Sequence, residues 1–410
     1  MTQTLEPTPT AVQSGPAQTW LADFEAALKE RDIPRAAGLF ATKSFWRDLV
    51  AFSWNITTVE DPTGVADLLS ATLERVDPSG FALEEPEATA DGVTTAWFTF
   101  ETAIGRGRGL LRLKVEDDRA KAWTFLTTLY ELKGHEEPRG VRRPKGAEHG
   151  VNRDRVTWAE KRQAEAETLG LTEQPYAVVI GGGQGGIALG ARLRQLGVPS
   201  LVIDRFERPG DQWRGRYKSL CLHDPVWYDH LPYLKFPDNW PVFAPKDKMG
   251  DWLESYTQVM ELDYWSNSEA TSATFDEATG AWTVHVTREG REVVLHPAQL
   301  VLATGMSGIA NVPTLPGQDV FQGDQHHSSK HPGGARYVGK KVVVIGSNNS
   351  AHDICADLWQ NGAQPIMLQR SSTHIVRSDS LMDTVLGPLY SEEAVANGID
   401  HDTADLVFAS

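Results

Sequence analysis

The chain has 410 residues, of which 40% are hydrophobic and 23% are charged, as is ordinary for a globular protein. Since a single core rarely grows beyond roughly 250–300 residues, this length predicts two or three domains. The formal net charge of −16 argues against a nucleic-acid partner or an anionic membrane surface, because phosphate groups repel such a protein. A local basic pocket for a phosphorylated cofactor is still compatible with this charge.

The cysteine content and the first residues of the chain indicate a cytoplasmic protein. The two cysteines are Cys221 and Cys355, and no CxxC motif is present, so the sequence offers neither a thioredoxin-type pair nor a zinc cluster. Residues 1–18 are polar and rich in Pro and Thr, without the apolar stretch of a signal peptide, and predict a disordered tail. No run of residues is long and apolar enough to span a bilayer.

Residues 19–134 predict a small α+β domain. Trp20, Phe24 and Leu28 recur every four residues, as on one face of a helix. Later in this region apolar and charged residues alternate, as in half-buried strands joined by a hairpin turn. The predicted elements are helices starting near residue 19, at 43–52 and at 64–76, then strands at 92–102, 111–115 and 121–131. Helices first and antiparallel strands afterwards favour an α+β layer.

Residues 135–172 predict a linker, charged and rich in Gly and Pro at first, with a short amphipathic helix at 158–169. From residue 173 onwards strand-like and helix-like segments alternate, which is typical of a parallel sheet. Two strand–glycine-turn–helix segments stand out, one beginning at Tyr176 and one at Lys340. We place a first dinucleotide-binding domain at 173–337 and the incomplete start of a second at 338–410.

The apolar run 176–180 leads directly into Gly181–Gly186, which we call the first loop, and a helical stretch follows. Gly181, Gly183 and Gly186 match the GxGxxG dinucleotide fingerprint, in which the glycines permit a tight turn, close approach of the backbone to a pyrophosphate, and close packing of helix on strand. The next strand ends at Asp204, whose carboxylate would accept from a ribose 2′-hydroxyl and repel a 2′-phosphate. This site should therefore bind FAD or NAD and not NADP. The alternative is a glycine-rich loop with no ligand.

A second apolar run leads into residues 346–351, which we call the second loop. Gly346 is retained, whereas Asn348 stands at the middle glycine position and Ala351 at the third, where alanine is accepted. Asn tolerates unusual backbone angles better than most residues, so a tight turn survives. The following strand ends near Arg370, which is suited to a 2′-phosphate and predicts NADPH. The alternative is a structural arginine at a surface strand end.

Motifs around the two loops resemble those of flavin-containing and Baeyer–Villiger monooxygenases. Phe321, Gly323 and His327 match the FxGxxxHxxx(aromatic) signature of these enzymes, and His331 stands at its aromatic position. Further similar segments are the PxxPG of 313–317, the ATG of 303–305 and the GGxW…RY-like stretch 210–217, in which Asp211 replaces a glycine. The stretch 222–241 is similar to the plant-type indole-pyruvate monooxygenase branch. The resemblance covers about residues 174–385.

This resemblance implies an α/β flavoprotein fold with two Rossmann-like dinucleotide-binding domains. It implies FAD at the first loop, held by Gly181, Gly183, Gly186, Asp204 and Trp213, and NADPH at the second, held by Gly346, Ser350 and Arg370. NADPH would reduce the flavin, O2 would form a peroxyflavin, and a small substrate would be oxygenated at nitrogen or sulfur or attacked at a carbonyl.

Two histidines are candidates for catalytic roles under this resemblance. His327 is the candidate for positioning the nicotinamide or linking the two sites, and His223 is the candidate for a place near the flavin edge. For each, the alternative is a hydrogen-bonded structural residue.

The element order of residues 19–134 resembles the SnoaL-like, nuclear-transport-factor-like cone. Some members of that family catalyse with an Asp–His pair, but no histidine precedes His135 in this chain. We therefore favour a dimerisation or packing module, which would make the protein a homo-oligomer, over a substrate-binding role.

Two other functions compete with the monooxygenase. One is an NAD(P)H-dependent flavin reductase that inserts no oxygen, although its disulfide-reductase form is disfavoured by the missing CxxC. The other is a non-catalytic nucleotide-binding or assembly protein built around the front domain. Because family members normally continue beyond the second loop and return to the FAD domain, we also expect the chain to be a fragment or a truncated product.

Overall fold

The computed structural model describes residues 15–147 and 149–410, and these form two compact units. We call residues up to Glu137, together with Ile399–Ser410, the first unit, and Pro138–Gly398 the second unit. Most of the predicted tail lies outside the described residues. Pro16 begins a helix, so the prediction that the tail extends to residue 18 is wrong. Proline is favoured at the first helical position because its missing N–H has no partner there.

Within the described residues up to Glu137, the first unit contains a seven-stranded sheet and three helices. Its strand order is β2-β1-β7-β6-β5-β3, with β4 paired to β5, and the β1–β7 pair is parallel. The elements are α1 (Pro16–Lys29), α2 (Ile33–Gly38), β1 (Phe40–Leu49), β2 (Ile56–Glu60), α3 (Asp61–Val76), β3 (Ser79–Leu83), β4 (Ala88–Ala90), β5 (Val93–Glu101), β6 (Gly105–Glu116) and β7 (Arg119–Leu132).

The helix predicted at 43–52 is wrong, because most of this segment is strand β1. Ser44, Trp46 and Asp48 alternate with more exposed neighbours and face the interior, as in a strand with one buried face. The Trp46 indole N–H donates to the Thr127 hydroxyl on β7 over 2.9 Å, and that hydroxyl donates to Asp48 over 2.9 Å. Tertiary pairing with β7 has overridden the local helical pattern.

The interior of the first unit is filled by nine aromatic side chains. They are Trp20, Phe24, Phe40, Trp46, Phe52, Phe81, Phe98, Phe100 and Phe125. Phe125 stacks on Phe98 with ring centroids 5.1 Å apart and also contacts Trp20, Phe24, Phe40 and Trp46. The unit is therefore packed throughout by a single aromatic core.

The second unit contains a four-stranded parallel sheet, a three-stranded antiparallel sheet and a two-stranded parallel sheet. Its strand orders are β10-β9-β8-β14, β11-β12-β13 and β15-β16. The strands are β8 (Ala177–Ile180), β9 (Ser200–Ile203), β10 (Tyr264–Trp265), β11 (Ser268–Asp276), β12 (Ala281–Arg288), β13 (Arg291–Leu295), β14 (Gln299–Leu302), β15 (Lys341–Ile345) and β16 (Gln364–Leu368). The helices are α4 (Trp158–Thr168), α5 (Gln184–Gln195), α6 (Asp211–Arg214), α7 (Lys246–Val259), α8 (Asn349–Gln360), α9 (Ser378–Leu381) and α10 (Glu392–Ala396). The predicted α/β class is confirmed.

Helix α4 forms where the sequence predicts it, but charge and not an apolar face holds it in place. None of its residues is fully buried. Arg162 of α4 and Arg194 of α5 share the carboxylates of Glu165, Glu261 and Asp263. The predicted amphipathic character is therefore not found.

The last helix of the chain, α11 (His401–Ala409), belongs to the first unit and not to the second. The Arg112 guanidinium on β6 donates to the Ser410 hydroxyl over 2.8 Å. The prediction that residues 338–410 all belong to one domain is therefore wrong for Ile399–Ser410.

The aromatic core generates a stability prediction. Phe125→Ala should lower the free energy of unfolding by about 3–5 kcal/mol, because the truncated ring leaves a cavity among five aromatic neighbours. Urea unfolding followed by tryptophan fluorescence measures this loss. Val115→Ala on the neighbouring strand is the matched control, since Val115 is 74% exposed and its truncation should cost within about 0.5 kcal/mol. Equal effects of the two changes would contradict the description of this core.

Candidate functional site

The first loop lies between β8 and α5. At two of its positions only glycine fits, because a side chain would clash with a neighbouring carbonyl group. Gly181 has a φ of +107°, and a Cβ there would overlap the Ala303 carbonyl after β14. A Cβ on Gly186 would overlap the Gly181 carbonyl oxygen. Helix α5 can therefore begin directly against the loop, which is the close packing that the fingerprint predicts.

The start of α5 leaves backbone amides for a ligand. Gly183 is the N-cap, so the amides of the next three residues have no preceding helical carbonyl to which they can donate. A Cβ on Gly185 would meet nothing within 4 Å, and one on Gly183 would meet only the Gln212 amide nitrogen at 3.5 Å. This end of the helix therefore provides the amides and the positive dipole end that bind an anionic group.

Asp204 lies beside the first loop at the end of β9. Its Oδ2 accepts from the Gly182 amide over 2.6 Å and its Oδ1 accepts from the Phe206 amide over 2.9 Å. The carboxylate is thus fixed at the loop, where the sequence predicts the acid that recognises a ribose.

Sequence reasoning missed Tyr264, which also contacts the first loop. Its hydroxyl donates to the Gly182 carbonyl over 3.2 Å, and a Cβ on Gly182 would overlap that hydroxyl. Burial, and after it the charge of Asp204, raises the pKa of Tyr264, so the hydroxyl remains a donor. The only feature of the sequence that pointed to a close contact here was the extra glycine between Gly181 and Gly183.

Trp213 contacts the start of α5 from the short helix α6. Its indole N–H donates to the Gln184 side chain over 3.2 Å. Helix α6 is held against α7 by Arg214, whose guanidinium bonds to Asp251 and Glu254 over 2.8 and 2.7 Å. The adjacent Gln212 has both polar side-chain atoms closed off from solvent and without a hydrogen-bond partner.

The second loop follows β15 in the same manner. Gly346 has a φ of +139°, and its amide donates to the Leu368 carbonyl at the end of β16 over 3.0 Å. Asn348 is the N-cap of α8 with ordinary extended backbone, so the unusual angles allowed for it are not used. Arg370, two residues beyond β16, is exposed and has no hydrogen-bond or ion-pair partner within residues 15–147 and 149–410. The second loop and Arg370 thus follow the ends of two paired strands, β15 and β16.

His223 lies against α8, which carries the second loop, and not against the first loop. Its Nε2 is 3.3 Å from Asp353 Oδ2, and the same oxygen accepts from the Tyr217 hydroxyl over 2.7 Å. Burial, and then this carboxylate, raises the pKa of Tyr217 to about 12, while the hydrogen bond from Ser350 opposes the rise. Four side chains therefore form one hydrogen-bonded group at the first turns of α8. Two of them, Ser350 and Asp353, belong to the helix, and the other two are Tyr217 and His223.

His327 caps a single turn of 3₁₀ helix at Ser328–Lys330. Its Nδ1 accepts from the Ser329 amide over 3.2 Å and lies 3.0 Å from the Ser329 hydroxyl. These contacts do not connect it to either loop. The catalytic role given to His327 stays a prediction.

The neighbouring His331 is better anchored than His327. It is buried, bonds to Asp357 of α8 over 3.0 Å and stacks on Tyr337 with centroids 6.1 Å apart. In this chain His331 thus packs as the aromatic residue expected at its position would.

Asp229 is a further unforeseen group, in the stretch that resembles plant-type enzymes. Burial, and after it the nearby Asp224 carboxylate, raises the pKa of Asp229 to about 7. Close to neutral pH this side chain is therefore divided between its acid and its carboxylate forms, as a proton-transfer group requires.

The described ranges contain neither a membrane-spanning helix nor a cluster of metal-ligating side chains. No helix there is long and apolar enough to cross a membrane. Likewise, nowhere in 15–147 or 149–410 do three His, Cys, Asp or Glu side chains gather as metal ligands would.

The fold and the two loops define a protein with two dinucleotide-binding segments on parallel sheets. Comparison with known families agrees, since the model described as "Pyridine nucleotide-disulphide oxidoreductase" matches residues 178–410. The chain belongs to this family. Cys221 and Cys355 are both free thiols in the structure.

Plant enzymes are among its relatives. The chain is 36% identical over 203 residues to "Indole-3-pyruvate monooxygenase YUCCA1" of Oryza sativa subsp. japonica, which covers 49% of each chain. It is 34% identical over 212 residues to "Probable indole-3-pyruvate monooxygenase YUCCA9" of Arabidopsis thaliana, covering 51% of this chain and 50% of the relative. The chain thus spans about half the length of the curated relatives it matches.

Among solved structures, the chain is similar to a flavin-containing monooxygenase from Stenotrophomonas maltophilia. The identity is 25% and the TM-score 0.46, over 55% of this chain and 68% of that one.

The packing of the first loop generates a prediction about stability. Gly186→Ala should lower the free energy of unfolding by roughly 1–3 kcal/mol, since the new methyl group overlaps the Gly181 carbonyl and must displace α5. Gly185→Ala is the matched control, because the same methyl meets nothing there and alanine favours a helix. Thermal unfolding of the two variants measures the difference. A Gly186→Ala protein as stable as the Gly185→Ala protein would refute this packing.

Proposed function

We propose that the chain binds FAD at the first loop and NADPH at the second and that it is a monooxygenase of a small organic substrate. The single observation that carries this proposal is the pairing of each glycine loop with a different residue at the following strand end. Asp204 is fixed at the first loop, and Arg370, near the second, has no partner in the part of the chain that the structure describes. The 36% identity to an indole-3-pyruvate monooxygenase supports the same conclusion.

The residues at the first loop fit an FAD diphosphate. Gly186 brings α5 against the loop, and the open face of Gly183 leaves room for a ligand beside free amides. The Asp204 carboxylate retains lone pairs for a ribose hydroxyl, since each oxygen accepts one backbone bond. Its charge would repel a 2′-phosphate, which favours FAD over NADP at this site.

The residues at the second loop fit NADPH. The unpaired Arg370 guanidinium presents two parallel N–H groups, which suit a 2′-phosphate. Gly346 gives the turn its positive φ, and Ser350 lies in the first turn of α8. His352, on the same turn, has a buried Nε2 without a partner, as expected where a polar ligand is to be received.

FAD, when bound, would supply the redox chemistry by accepting a hydride from NADPH and passing electrons to O2. The chain's own residues bind and orient. Tyr217 stays protonated and bonded to Asp353, so it keeps the segment that follows Trp213 against α8. We propose that His223, held by the same carboxylate, lies where the two cofactors meet, and that His327 positions the nicotinamide.

We propose a 2-oxo acid with an aromatic side chain as the substrate, since the relatives are named for indole-3-pyruvate. The raised pKa of Asp229 would allow this residue to exchange a proton near neutral pH. We further propose a cytoplasmic protein, in keeping with its two free thiols, and a homo-oligomer formed through the first unit.

A coupling experiment tests this function. The purified protein is loaded with FAD, and NADPH oxidation, O2 uptake, H2O2 release and organic product are measured with and without indole-3-pyruvate. A monooxygenase gives product in proportion to O2, with little peroxide. Peroxide equal to O2, without product from this or other carbonyl, amine and sulfide substrates, would identify a reductase. A protein that takes up no FAD would overturn the proposal altogether.

The cofactor preference gives a sharper prediction. Arg370→Ala should weaken NADPH binding by about 10- to 100-fold, because a charged hydrogen-bonding partner of the 2′-phosphate is lost, and should leave NADH binding unchanged. Titration of the FAD-loaded protein with each nucleotide under anaerobic conditions measures both constants. Arg377→Ala is the control, an exposed arginine paired with Asp379. Equal losses for NADPH and NADH would refute the role of Arg370.

A further inference from the structure

Helix α4 is attached to the rest of the second unit by charged side chains. None of its own residues is fully buried, so no apolar face anchors it. Instead, five charged side chains from three segments form one group, which we call the charge cluster. Two of them belong to α4, one to the last turn of α5 and two to the turn that joins α7 to β10, namely Arg162, Glu165, Arg194, Glu261 and Asp263.

Two arginines lie at the centre of the charge cluster. Arg162 donates to the Glu261 carbonyl over 2.8 Å and to Asp263 Oδ1 over 3.1 Å. Arg194 donates to Glu165 over 3.2 Å and lies 3.6 Å from Asp263 Oδ2. Electrostatic attraction therefore holds α4 in place. Such attraction weakens with salt, because the screening length falls from about 10 Å at 0.1 M to about 3 Å at 1 M.

The backbone of Glu261 shows that this attachment is kept at a conformational cost. Its φ is +53°, a left-handed angle that glycine adopts freely and other residues adopt rarely. It follows the C-cap of α7, where glycine is the usual residue. Its carboxylate accepts from the Trp158 indole N–H over 2.6 Å, and its carbonyl accepts from Arg162. The unfavourable residue at this turn thus supplies two acceptors to α4.

The charge cluster also joins two segments that carry the first loop. Arg194 lies in the last turn of α5, whose first turn begins against this loop. Asp263 is followed directly by Tyr264, whose hydroxyl donates to the Gly182 carbonyl over 3.2 Å. The Asp263 carbonyl accepts from the Val202 amide of β9 over 2.9 Å. The charge cluster is therefore linked to the first loop both through α5 and through Tyr264.

The two ends of α4 are fixed in different ways. Just past its C-terminus, Leu169 is buried and Gly170 has a φ of +80°, and a Cβ on Gly170 would overlap the Trp265 ring. At its N-terminus, Thr157 and Glu160 form a capping box, which stabilises the helix itself and not its attachment. Opening of the charge cluster would therefore leave α4 tethered at Gly170.

We propose that α4 is an electrostatic strap that regulates the first loop. With the charge cluster closed, α4 holds the end of α5 and the α7–β10 turn together, and the first loop is fixed. When salt or the loss of a charge opens the cluster, α4 swings away about Gly170 and the first loop becomes mobile. Closure of the strap then raises the affinity for FAD, and bound FAD favours closure by the same factor. This last step rests on the proposed function.

Two substitutions open the strap and one is the control. Arg162→Glu reverses a charge at the centre of the charge cluster. Glu261→Gly removes a carboxylate at a position whose φ suits glycine better, so its effect is not attributable to a strained fold. Lys161→Glu makes the same charge change as Arg162→Glu on the neighbouring, exposed residue of α4, which lies outside the charge cluster.

Hydrogen exchange of the cofactor-free protein, followed by mass spectrometry, measures the strap without any ligand. Peptides that cover α4 should exchange about 10-fold faster or more in 1 M than in 0.1 M NaCl, and peptides that cover the first loop should become faster with them. At 0.1 M NaCl, Arg162→Glu and Glu261→Gly should already show both increases, whereas Lys161→Glu should exchange as the wild type does.

Binding of FAD and ADP measures the coupling to the nucleotide. At 0.1 M NaCl, we expect Arg162→Glu and Glu261→Gly to weaken both ligands by about 5-fold or more, and Lys161→Glu to bind them as the wild type does. Flavin fluorescence quenching and calorimetry give these constants. Bound FAD should also slow the exchange of α4 in the wild type and less so in Arg162→Glu.

Two results of the exchange experiment would overturn the strap. One is exchange of α4 that does not respond to salt. The other is fast exchange of α4 in Arg162→Glu while the first loop exchanges as in the wild type, which would identify a local ion cluster without a regulatory role. If the wild type binds neither FAD nor ADP, the proposed function fails, and the exchange of the cofactor-free protein still decides whether the strap exists.

Discussion

The contact between the Gly181 carbonyl and Gly186 is the constraint on which the candidate site depends. Because no side chain fits between them, α5 begins immediately after the loop and its free amides face the same space as Gly183. The amide of Gly181 is itself fixed by the Ile203 carbonyl at the end of β9. Backbone contacts thus position sheet, loop and helix, and the hydrogen bonds of Asp204 and Tyr264 to Gly182 reinforce this arrangement.

The two loops share this backbone arrangement but differ in charge. At the first, the Asp204 carboxylate is held by two amides of its own chain and would repel an anionic group such as a 2′-phosphate. At the second, Arg370 follows the strand end and has no partner among the described residues, and a guanidinium is well suited to bind a phosphate. We therefore propose that the loops favour different nucleotides, although the chain as a whole carries a net charge of −16. On this proposal, the local placement of a few charges matters more for binding than the overall charge does.

The sequence predicted those parts of the fold in which local pattern and tertiary structure agree. The first loop, α5, β15 and α8 were predicted because glycine spacing and apolar runs are local signals. Strand β1 was missed because its partner, β7, lies some eighty residues away, and its pairing decides the structure. Tyr264 and Gln212 could not be predicted as neighbours of the first loop, since long-range packing alone brings them there. Asp353 was missed for the same reason, although it belongs to a predicted helix.

The packing of the first unit bears on where a substrate can bind. Its interior is occupied by nine aromatic side chains, and Gly107 and Gly109 of β6 are covered by the rings of Phe100 and Phe98. Asp48, the one buried carboxylate of this core among the described residues, accepts hydrogen bonds from five amide and hydroxyl donors and has little capacity left for a ligand. A core of this kind stabilises a fold. We therefore propose that the chemistry belongs to the second unit, where unsatisfied polar groups lie beside the two loops. The likeness of the first unit to a SnoaL-like cone remains a prediction about architecture and not about catalysis.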